Sequence, residues 1–290
     1  MSKILVCGRN GQVGWELQRS LATLGEVIAL DRHDMDLSNP DSIRRAMRLH
    51  KPTLVVNAAA YTAVDKAEEE FDTAMAINGV APGIIAEEAK RLGAVMIHYS
   101  TDYVFDGQKQ TPYVEEDTPN PLNAYGKTKL AGEQAIQSVG VHHIIFRTSW
   151  VYSMRGTNFL LTMLRLAQER DTLHIVDDQI GAPTWARVIA EATAQCLEVS
   201  RRSASGAGYC PDSHGIFHLT TSGTTSWYGF AEKIFALTKA KPRLTAIATA
   251  QYPTPAQRPL NSCLSNDKLE KKFGVQLPRW ETAVARCLEA

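Results

Sequence analysis

Short apolar runs rich in β-branched residues alternate with longer helical patterns along the first half of the chain, and this alternation constrains the fold most. Strand–helix–strand units favour a parallel sheet, because each helix carries the chain back to the edge where the next strand begins. The predicted strands are Ile4–Cys7, Val27–Leu30, Leu54–Asn57, Val95–Ser100 and His143–Arg147. The predicted helices are Gln12–Leu24, Asp41–His50, Ala74–Leu92 and Ala124–Ser138. We therefore predict an α/β fold with a Rossmann-type, doubly wound parallel sheet, covered by helices on both faces.

The second half of the chain is less regular. It offers a sixth strand at Leu173–Val176 and a helix at Trp185–Val199, followed by the polar stretch "SRRSASGAGYCPDSHG", which is typical of a loop. A short strand (Ile216–Leu219), a helix (Trp227–Lys239) and a Pro-rich segment come next. We predict a dinucleotide-binding domain over 1–150, to which about 170–200 also contribute, and a smaller lobe over 151–290 interleaved with it.

Composition excludes several classes of function. The 290 residues carry 31 basic and 31 acidic side chains, and no basic stripe supports nucleic-acid binding. No apolar run is long enough to span a membrane, and the chain enters its first strand without a signal peptide. The five scattered cysteines form no CxxC pair, so we expect reduced thiols and a cytoplasmic protein.

The first strand runs into "GRNGQVG", a glycine loop typical of dinucleotide binding. Gly8, Gly11 and Gly14 permit a tight turn and let backbone N–H groups approach a pyrophosphate at a helix N-terminus. The spacing differs by one residue from the commoner dehydrogenase pattern, and a plain strand–helix turn is the alternative interpretation.

The tip of the second strand, "LDRHDMDL", carries charges that bear on cofactor choice. Asp31 can accept hydrogen bonds from the adenosine ribose, whereas Arg32 can pair with a 2′-phosphate. Asp36 and Leu37 are placed to flank the adenine. The sequence therefore leaves NADH and NADPH both open.

"AYGKTKLAGEQA" places Tyr125 four residues before Lys129 in a predicted helix, so both lie on one face. An ammonium beside a phenol favours the phenolate, which lowers the pKa of the tyrosine toward the range useful in general acid–base catalysis. A surface tyrosine beside a solvated lysine is the alternative. The glycine loop favours the catalytic interpretation.

Several longer motifs resemble the dTDP-4-dehydrorhamnose reductases, a family of extended short-chain dehydrogenases/reductases. The motifs are "NAAAYTAVDKAE", "IHYSTDYVFDG", "PLNAYGKTKLAGE", "FRTSWVY", "DDQIGAPT" and "SGTTSWYGFA", and they run over nearly the whole chain. The resemblance implies NAD(P)H-dependent reduction of the C4 keto group of dTDP-4-dehydro-β-L-rhamnose, the last step of dTDP-L-rhamnose synthesis. The polysaccharide that receives the rhamnose is left open.

The resemblance also implies roles for individual residues. Thr101, Tyr125 and Lys129 would form the catalytic trio, with Tyr125 as proton donor and Lys129 on the nicotinamide ribose. The cofactor set would be Gly8, Gly11, Gln12, Val13, Gly14, Asp31, Arg32, Asp36, Leu37, Ala60, Tyr61, Thr62, Tyr99, Tyr125 and Lys129. The substrate set would be Thr101, Asp102, Tyr103, Trp150 and Arg258, with Arg258 on the diphosphate.

Metal sites and alternative functions complete the sequence-based predictions. His214, His218 and Cys210 are zinc-type ligands, but their surroundings indicate a strand entry, so no metal ligands are predicted there. The resemblance makes Mg²⁺ and a homodimer candidates, with Glu16 and Glu191 as carboxylates. The alternative functions are a non-catalytic dinucleotide-binding subunit, like the regulatory subunit of methionine adenosyltransferase, and another nucleotide-sugar 4-reductase or epimerase.

Overall fold

The chain is described by a computed structural model that covers residues 2–202 and 208–289. Its strands are β1 (Lys3–Cys7), β2 (Glu26–Leu30), β3 (Leu54–Asn57), β4 (Val95–Thr101), β5 (His143–Thr148), β6 (Val151–Tyr152), β7 (Thr172–Val176), β8 (Ile180–Gly181), β9 (Thr184–Trp185), β10 (Gly215–His218), β11 (Thr225–Ser226) and β12 (Arg243–Ile247). Its α-helices are α1 (Gln12–Ser20), α2 (Pro40–His50), α3 (Phe71–Met75), α4 (Ala81–Leu92), α5 (Ala124–Val139), α6 (Phe159–Glu169), α7 (Ala186–Arg202), α8 (Trp227–Thr238), α9 (Asp267–Phe273) and α10 (Trp280–Glu289).

The central sheet has six strands in the order β10-β5-β4-β3-β1-β2, and every neighbouring pair is parallel. The predicted doubly wound parallel sheet is therefore confirmed. After β2 joins one side of β1, β3 joins the other side, so the order reverses at β1. Ligands of such sheets bind outside the carboxyl ends of the strands at this switch point.

Two of the later predictions need correction. The strand expected at Leu173–Val176 forms, but as β7 it pairs with β12 outside the six-stranded sheet, and the sixth sheet strand is β10. Strand β12 and helix α6 were not predicted. Helix α7 extends to Arg202, so the stretch taken as a loop begins within a helix, and residues 203–207 of it lie outside the described residues.

Helices cover both faces of the sheet, as the apolar strands require. On one face α1 and α7 pack over Ile4, Val6 and Val56, and on the other α2, α4 and α5 pack over Leu5, Val55 and other apolar strand residues. A π-helical turn, Ala76–Val80, joins α3 to α4. Across the described residues, no helix is both long and apolar enough to cross a membrane.

The face beneath α5 also carries buried polar side chains. Asn57, His98 and Arg147 project from β3, β4 and β5, and Lys129 and Glu133 come from α5, each with at most 2% exposure. Buried polar groups need partners, so this layer constrains which side chains can occupy the site above it.

Candidate active site

The carboxyl end of β4 and the first turn of α5 bring the predicted catalytic residues together. Thr101 closes β4, and its hydroxyl donates to Asp102 Oδ1 at 2.9 Å. Asn123 caps α5 by accepting from the Gly126 N–H at 2.8 Å, and this cap sets the start of the helix that carries Tyr125. The Tyr125 side chain interacts with that of Thr101. Both side chains therefore border the edge of the sheet where ligands bind.

The expected lowering of the Tyr125 pKa is wrong for this structure. Burial raises the pKa of Tyr125, and the charge of Asp102 raises it further, while the Thr101 hydroxyl acts in the opposite direction. Lys129 is not among the groups that shift this pKa, and its Nζ is bonded to the Tyr99 carbonyl on β4. A raised pKa keeps the phenol protonated, which is the form that a proton donor needs.

Lys129 instead contacts β4. Its Nζ donates to the Tyr99 carbonyl at 2.6 Å and lies 3.3 Å from His98 Nε2. Burial lowers the pKa of Lys129 to about 8, and the charge of Glu133, one turn further along α5, acts to raise it. The Tyr99 side chain faces away, since its hydroxyl bonds Thr193 Oγ1 at 2.7 Å in the core.

Asp102 is an ionisable group whose environment is unusual. It is 3% exposed, and its Oδ2 lacks a hydrogen-bond partner within the described part of the chain. Burial raises the pKa of Asp102 to about 6, although the nearby hydroxyls of Ser262 and Thr101 act to lower it. The neighbouring Tyr103 ring meets the Tyr125 ring edge-on, with centroids 5.9 Å apart. An unpaired buried carboxylate oxygen beside Tyr125 is suited to accept a hydrogen bond from a hydroxyl group.

In the glycine loop the backbone at Gly14 lies close against that of Gly8, as a phosphate-binding turn requires. A Cβ on Gly14 would lie 2.1 Å from the Gly8 carbonyl oxygen, so only glycine fits there. Gly11 begins α1 without a side-chain cap, so no described side chain caps the N–H groups of the first turn. Gln12 is held by the Ser153 hydroxyl and the Asn158 amide, at 2.9 and 2.8 Å. These features fit the pyrophosphate of a dinucleotide.

At the tip of β2, Arg9 is a functional candidate that the sequence analysis missed. Its guanidinium forms an ion pair with Asp31 and lies 3.2 Å from the Asp34 carboxylate. Arg32 points outward, with 79% of its side chain exposed, and its one ion-pair contact among the described residues is to Asp36 at 3.8 Å. Arg9 lies inside the glycine loop, and its pairing across 22 residues has no signal in local sequence.

The segment after β3 is fixed by Asn78 in the π-helical turn. Asn78 Oδ1 accepts from the Tyr61 N–H at 2.9 Å, and its Nδ2 donates to the Tyr61 carbonyl at 3.0 Å. Ala60, Tyr61 and Thr62 thus follow directly from the carboxyl end of β3, next to the switch point of the sheet. The side chain of Leu37 is buried, while that of Asp36 is partly exposed near Ser38.

Trp150 occupies a constrained position between β5 and β6. Its φ of +46° lies in the left-handed region, which bulky residues seldom adopt. The indole stacks on Trp227, with centroids 3.5 Å apart and planes 6° apart. A Cβ on Gly181 would lie 2.5 Å from Trp150 Cε2 and 2.8 Å from both Cζ2 and Nε1, so Gly181 covers the other face of the ring. Such an outlier motivates a functional hypothesis.

Arg258 is held by the partly exposed Asp65, which the sequence analysis did not single out. Two guanidinium nitrogens donate to the two Asp65 oxygens at 3.0 and 2.8 Å. Arg258 also lines a cleft of about 750 Å³ with Lys109, Asp178 and Cys263. One edge of the Arg258 guanidinium is therefore already bonded to Asp65. A diphosphate would bind the remaining N–H donors of the guanidinium or displace Asp65.

No metal-binding cluster is found among the described residues: nowhere do three or more His, Cys, Asp or Glu side chains converge as ligands. His218 is fully buried on β10, and burial lowers the pKa of its ring to about 3. His214 is exposed at the entry to β10. The pair thus sits on a strand and its approach, as predicted, and not on a helix.

The chain resembles known proteins over its full length. A family model described as the RmlD substrate binding domain matches residues 2–290. A dTDP-4-dehydrorhamnose reductase of Burkholderia thailandensis is 50% identical over 294 residues, covering 99% of this chain and 98% of the relative. A protein of the same name from Escherichia coli is 48% identical over 295 residues, covering 98% and 96%.

A solved structure shows the same likeness in three dimensions. It is the dTDP-4-dehydrorhamnose reductase of Bacillus anthracis in complex with NADP, with a TM-score of 0.92 and 32% identity, covering 99% of both chains.

Proposed function

This chain belongs to the dTDP-4-dehydrorhamnose reductase family, and from that premise we propose the reaction that its site performs. It is an oxidoreductase that uses a nicotinamide cofactor to reduce the C4 keto group of dTDP-4-dehydro-β-L-rhamnose, giving dTDP-β-L-rhamnose. The observation that carries the proposal is the convergence of Thr101, Tyr125 and Lys129 at the carboxyl end of β4, beside the glycine cradle at the switch point.

The residues at this edge divide the work of ketone reduction. When bound, the cofactor supplies the hydride that adds to the sugar C4. Tyr125, kept protonated by its raised pKa, gives its phenol proton to the C4 oxygen as negative charge develops there. Thr101 supports the same oxygen, and Lys129 holds the nicotinamide ribose. Addition of the hydride to C4 and of the proton to the C4 oxygen converts the ketone into a neutral alcohol, so atoms and charge balance.

The remaining site residues bind and place the two ligands. We propose that Gly8, Gly11, Gln12, Val13 and Gly14 hold the pyrophosphate. Asp31, Arg32, Asp36 and Leu37 would border the adenosine, and Ala60, Tyr61, Thr62 and the Tyr99 backbone would line the nicotinamide side. Asp102, Tyr103 and Trp150 would face the sugar, and Arg258 the diphosphate. The division of the chain into a dinucleotide-binding domain over 1–150 and a nucleotide-sugar-binding lobe over 151–290 also stays a prediction.

The test is NAD(P)H oxidation with the 4-keto sugar made in situ, comparing wild type with Tyr125→Phe. Loss of a general acid typically costs about 10²–10⁴ in rate, and we expect a fall in kcat of this order with unchanged cofactor affinity. Tyr152→Phe is the matched control, because the buried Tyr152 hydroxyl has no partner within the described residues. Turnover of Tyr125→Phe within about threefold of wild type would contradict the assignment.

A homodimer and a Mg²⁺ ion at its contact are two further parts of the proposal. Glu16 already accepts from Arg187 Nε at 3.3 Å, so a cation bound at Glu16 and Glu191 would compete with that guanidinium. Light scattering after size-exclusion chromatography, with EDTA and with added Mg²⁺, measures both. A monomer under both conditions would contradict the homodimer. A molar mass that is the same with EDTA and with Mg²⁺ would contradict a role of the ion in the dimer contact.

A further inference from the structure

A buried histidine lies behind the lysine of the proposed site. His98 is in the middle of β4 with 0% exposure, and its Nε2 is 3.3 Å from Lys129 Nζ. Its other ring nitrogen, Nδ1, is 3.2 Å from the amide nitrogen of Asn57, the residue paired with it on β3. Asn57 is 1% exposed. The three side chains thus form a continuous chain from β3 through β4 to α5.

The geometry fixes the direction of the lysine head group. An ammonium has three donors. The Tyr99 carbonyl takes one at 2.6 Å, and His98 Nε2 lies where it can take a second. The long aliphatic stem of a lysine has many rotamers, so two anchors on one rigid strand leave the third donor in a single direction. An unanchored lysine would sample that direction only part of the time.

We propose that His98 is a positioning residue that holds Lys129 toward the cofactor ribose, and that Asn57 sets the tautomer through which it does so. The inference deepens the proposed function and rests on the role given there to Lys129. His98 itself touches neither substrate nor cofactor in this proposal; it acts through Lys129.

The tautomer follows from the number of protons on a neutral imidazole, which has one donor nitrogen and one acceptor. If Nε2 accepts from the Lys129 ammonium, Nδ1 carries the proton and needs the Asn57 oxygen as its acceptor. If the Asn57 nitrogen faces Nδ1, as in this structure, the proton lies on Nε2 and Lys129 meets it as an amine. A half-turn of the Asn57 amide exchanges the two arrangements. In the present one, Asn57 Oδ1 accepts from the Ala59 N–H at 3.3 Å.

Few charged groups surround the row formed by Asn57, His98 and Lys129 among the described residues. On α5, Tyr125 and Glu133 lie one turn to either side of Lys129, and Glu133 is bonded through both oxygens to Arg147 on β5. Burial lowers the pKa of His98 far below its ordinary value, and the charges of Lys129 and of His143 on β5 lower it further. His98 therefore stays neutral, and when the Asn57 oxygen is turned toward Nδ1, His98 Nε2 accepts a hydrogen bond from the Lys129 ammonium.

Two substitutions at position 98 separate the two ring nitrogens. His98→Gln places an amide near the position of Nε2 and keeps the contact to Lys129, whereas His98→Asn reaches only Asn57. We expect His98→Asn to lower kcat at least tenfold, because loss of one charge-assisted hydrogen bond is worth about that factor. We expect its alkaline loss of activity to begin about one pH unit lower, since the ammonium loses an acceptor. His98→Gln should stay within about threefold of wild type.

His218→Leu is the matched control, since His218 is also fully buried on the sheet and its ring nitrogens have no partner within the described residues. Melting temperature and the dissociation constant for NADPH, from fluorescence, are measured on every variant. The proposal expects weaker NADPH binding in His98→Asn than in His98→Gln at similar melting temperatures. A purely structural histidine would change melting temperature alone, without moving the pH profile.

If His98→Asn does not fold, Asn57→Asp tests the same hydrogen bonds from the other side of the ring. Asn57→Asp presents only acceptors to Nδ1, so it holds the tautomer whose Nε2 accepts, and the alkaline loss of activity should move to higher pH. An unmoved or opposite pH profile in Asn57→Asp, or equal behaviour of the Asn, Gln and His218→Leu variants, overturns the inference. Failure of the wild-type protein to reduce the keto-sugar would instead overturn the proposed function.

Discussion

Gly181→Ala tests whether the Trp150 indole is clamped where the sugar is proposed to bind. The added methyl would lie 2.5 Å from Trp150 Cε2, whereas carbon atoms normally approach to about 3.5–4.0 Å. The indole would therefore have to move by about 1 Å. It cannot retreat freely, because Trp227 stacks on its other face and is itself fixed by a 3.1 Å hydrogen bond from Nε1 to Gln179 Oε1.

Overpacking of this kind typically costs about 1–3 kcal/mol of stability. The entropy of unfolding of a chain of 290 residues is about 0.6 kcal/mol/K, so we expect the melting temperature to fall by about 2–5 °C. A misplacement of about 1 Å at a substrate-positioning group can cost about 10² in rate. We expect kcat/KM for the keto-sugar to fall by up to that factor, while NADPH affinity is unchanged.

The assay is steady-state kinetics and thermal melting on the same preparations, with Gly208→Ala as control. A Cβ at Gly208 meets no atom of the described residues within 4 Å, so this variant adds the same methyl without a clash against them. Combining Gly181→Ala with Trp227→Leu gives the indole room, and the two changes should then cost less together than the sum of their separate costs. Wild-type melting and kinetics in Gly181→Ala would refute the clamp, whereas a large fall in melting temperature with near-normal kinetics would make Trp150 a core residue.

Three further predictions follow from the charges. Arg9→Ala should raise the KM for NADPH by about ten- to a hundredfold and the KM for NADH less, because it leaves the Asp31 carboxylate uncompensated beside a 2′-phosphate. Arg32→Ala should change the KM for either cofactor by less than about threefold. A larger effect on the KM for NADPH in Arg32→Ala than in Arg9→Ala would disprove this assignment. Glu133→Gln breaks an ion pair with at most 2% exposure, which typically costs about 3–5 kcal/mol, so the melting temperature should fall by about 5–8 °C; a fall below about 2 °C would be inconsistent with it. Burial raises the pKa of Asp102 to about 6, above the unfolded value of about 3.9, so its ionised form opposes folding above pH 6 and the penalty vanishes below about pH 4. Asp102→Asn should therefore raise the melting temperature at pH 8 and not at pH 4, and equal effects at both would argue against this pKa.

The sequence was informative wherever local pattern decides structure. Strands β1, β3 and β5 lie within a residue of their predicted bounds, because apolar β-branched runs between turn signals leave few alternatives. The spacing of Tyr125 and Lys129 placed both on α5 for the same reason. These features depend on neighbours within a few residues along the chain.

Contacts between segments that are distant along the chain could not be predicted from such local patterns. The apolar run of β7 resembles a strand of the main sheet, yet it pairs with β12, some 70 residues further along the chain. The pKa of Tyr125 was predicted with the wrong sign, because the i,i+4 rule gives proximity on a helix face but not the direction in which a long side chain points. That direction is set by the Tyr99 carbonyl and His98 on β4, whose approach to α5 has no local signature.

The polar layer beneath α5 explains how Lys129 can point toward β4 at all. Glu133 lies one turn along the same helix face, at the spacing where a lysine and a glutamate commonly pair. Arg147 occupies both oxygens of Glu133, at 3.0 and 2.7 Å, so the carboxylate has no free edge to draw Lys129 away from His98. A well-packed apolar layer would be at least as stable as this buried ion pair, so stability alone does not account for it. In Glu133→Gln the contacts of Lys129 to β4 remain, so we expect the NADPH affinity to be unchanged while the melting temperature falls. Parallel loss of both would mean that Glu133 holds Lys129 directly.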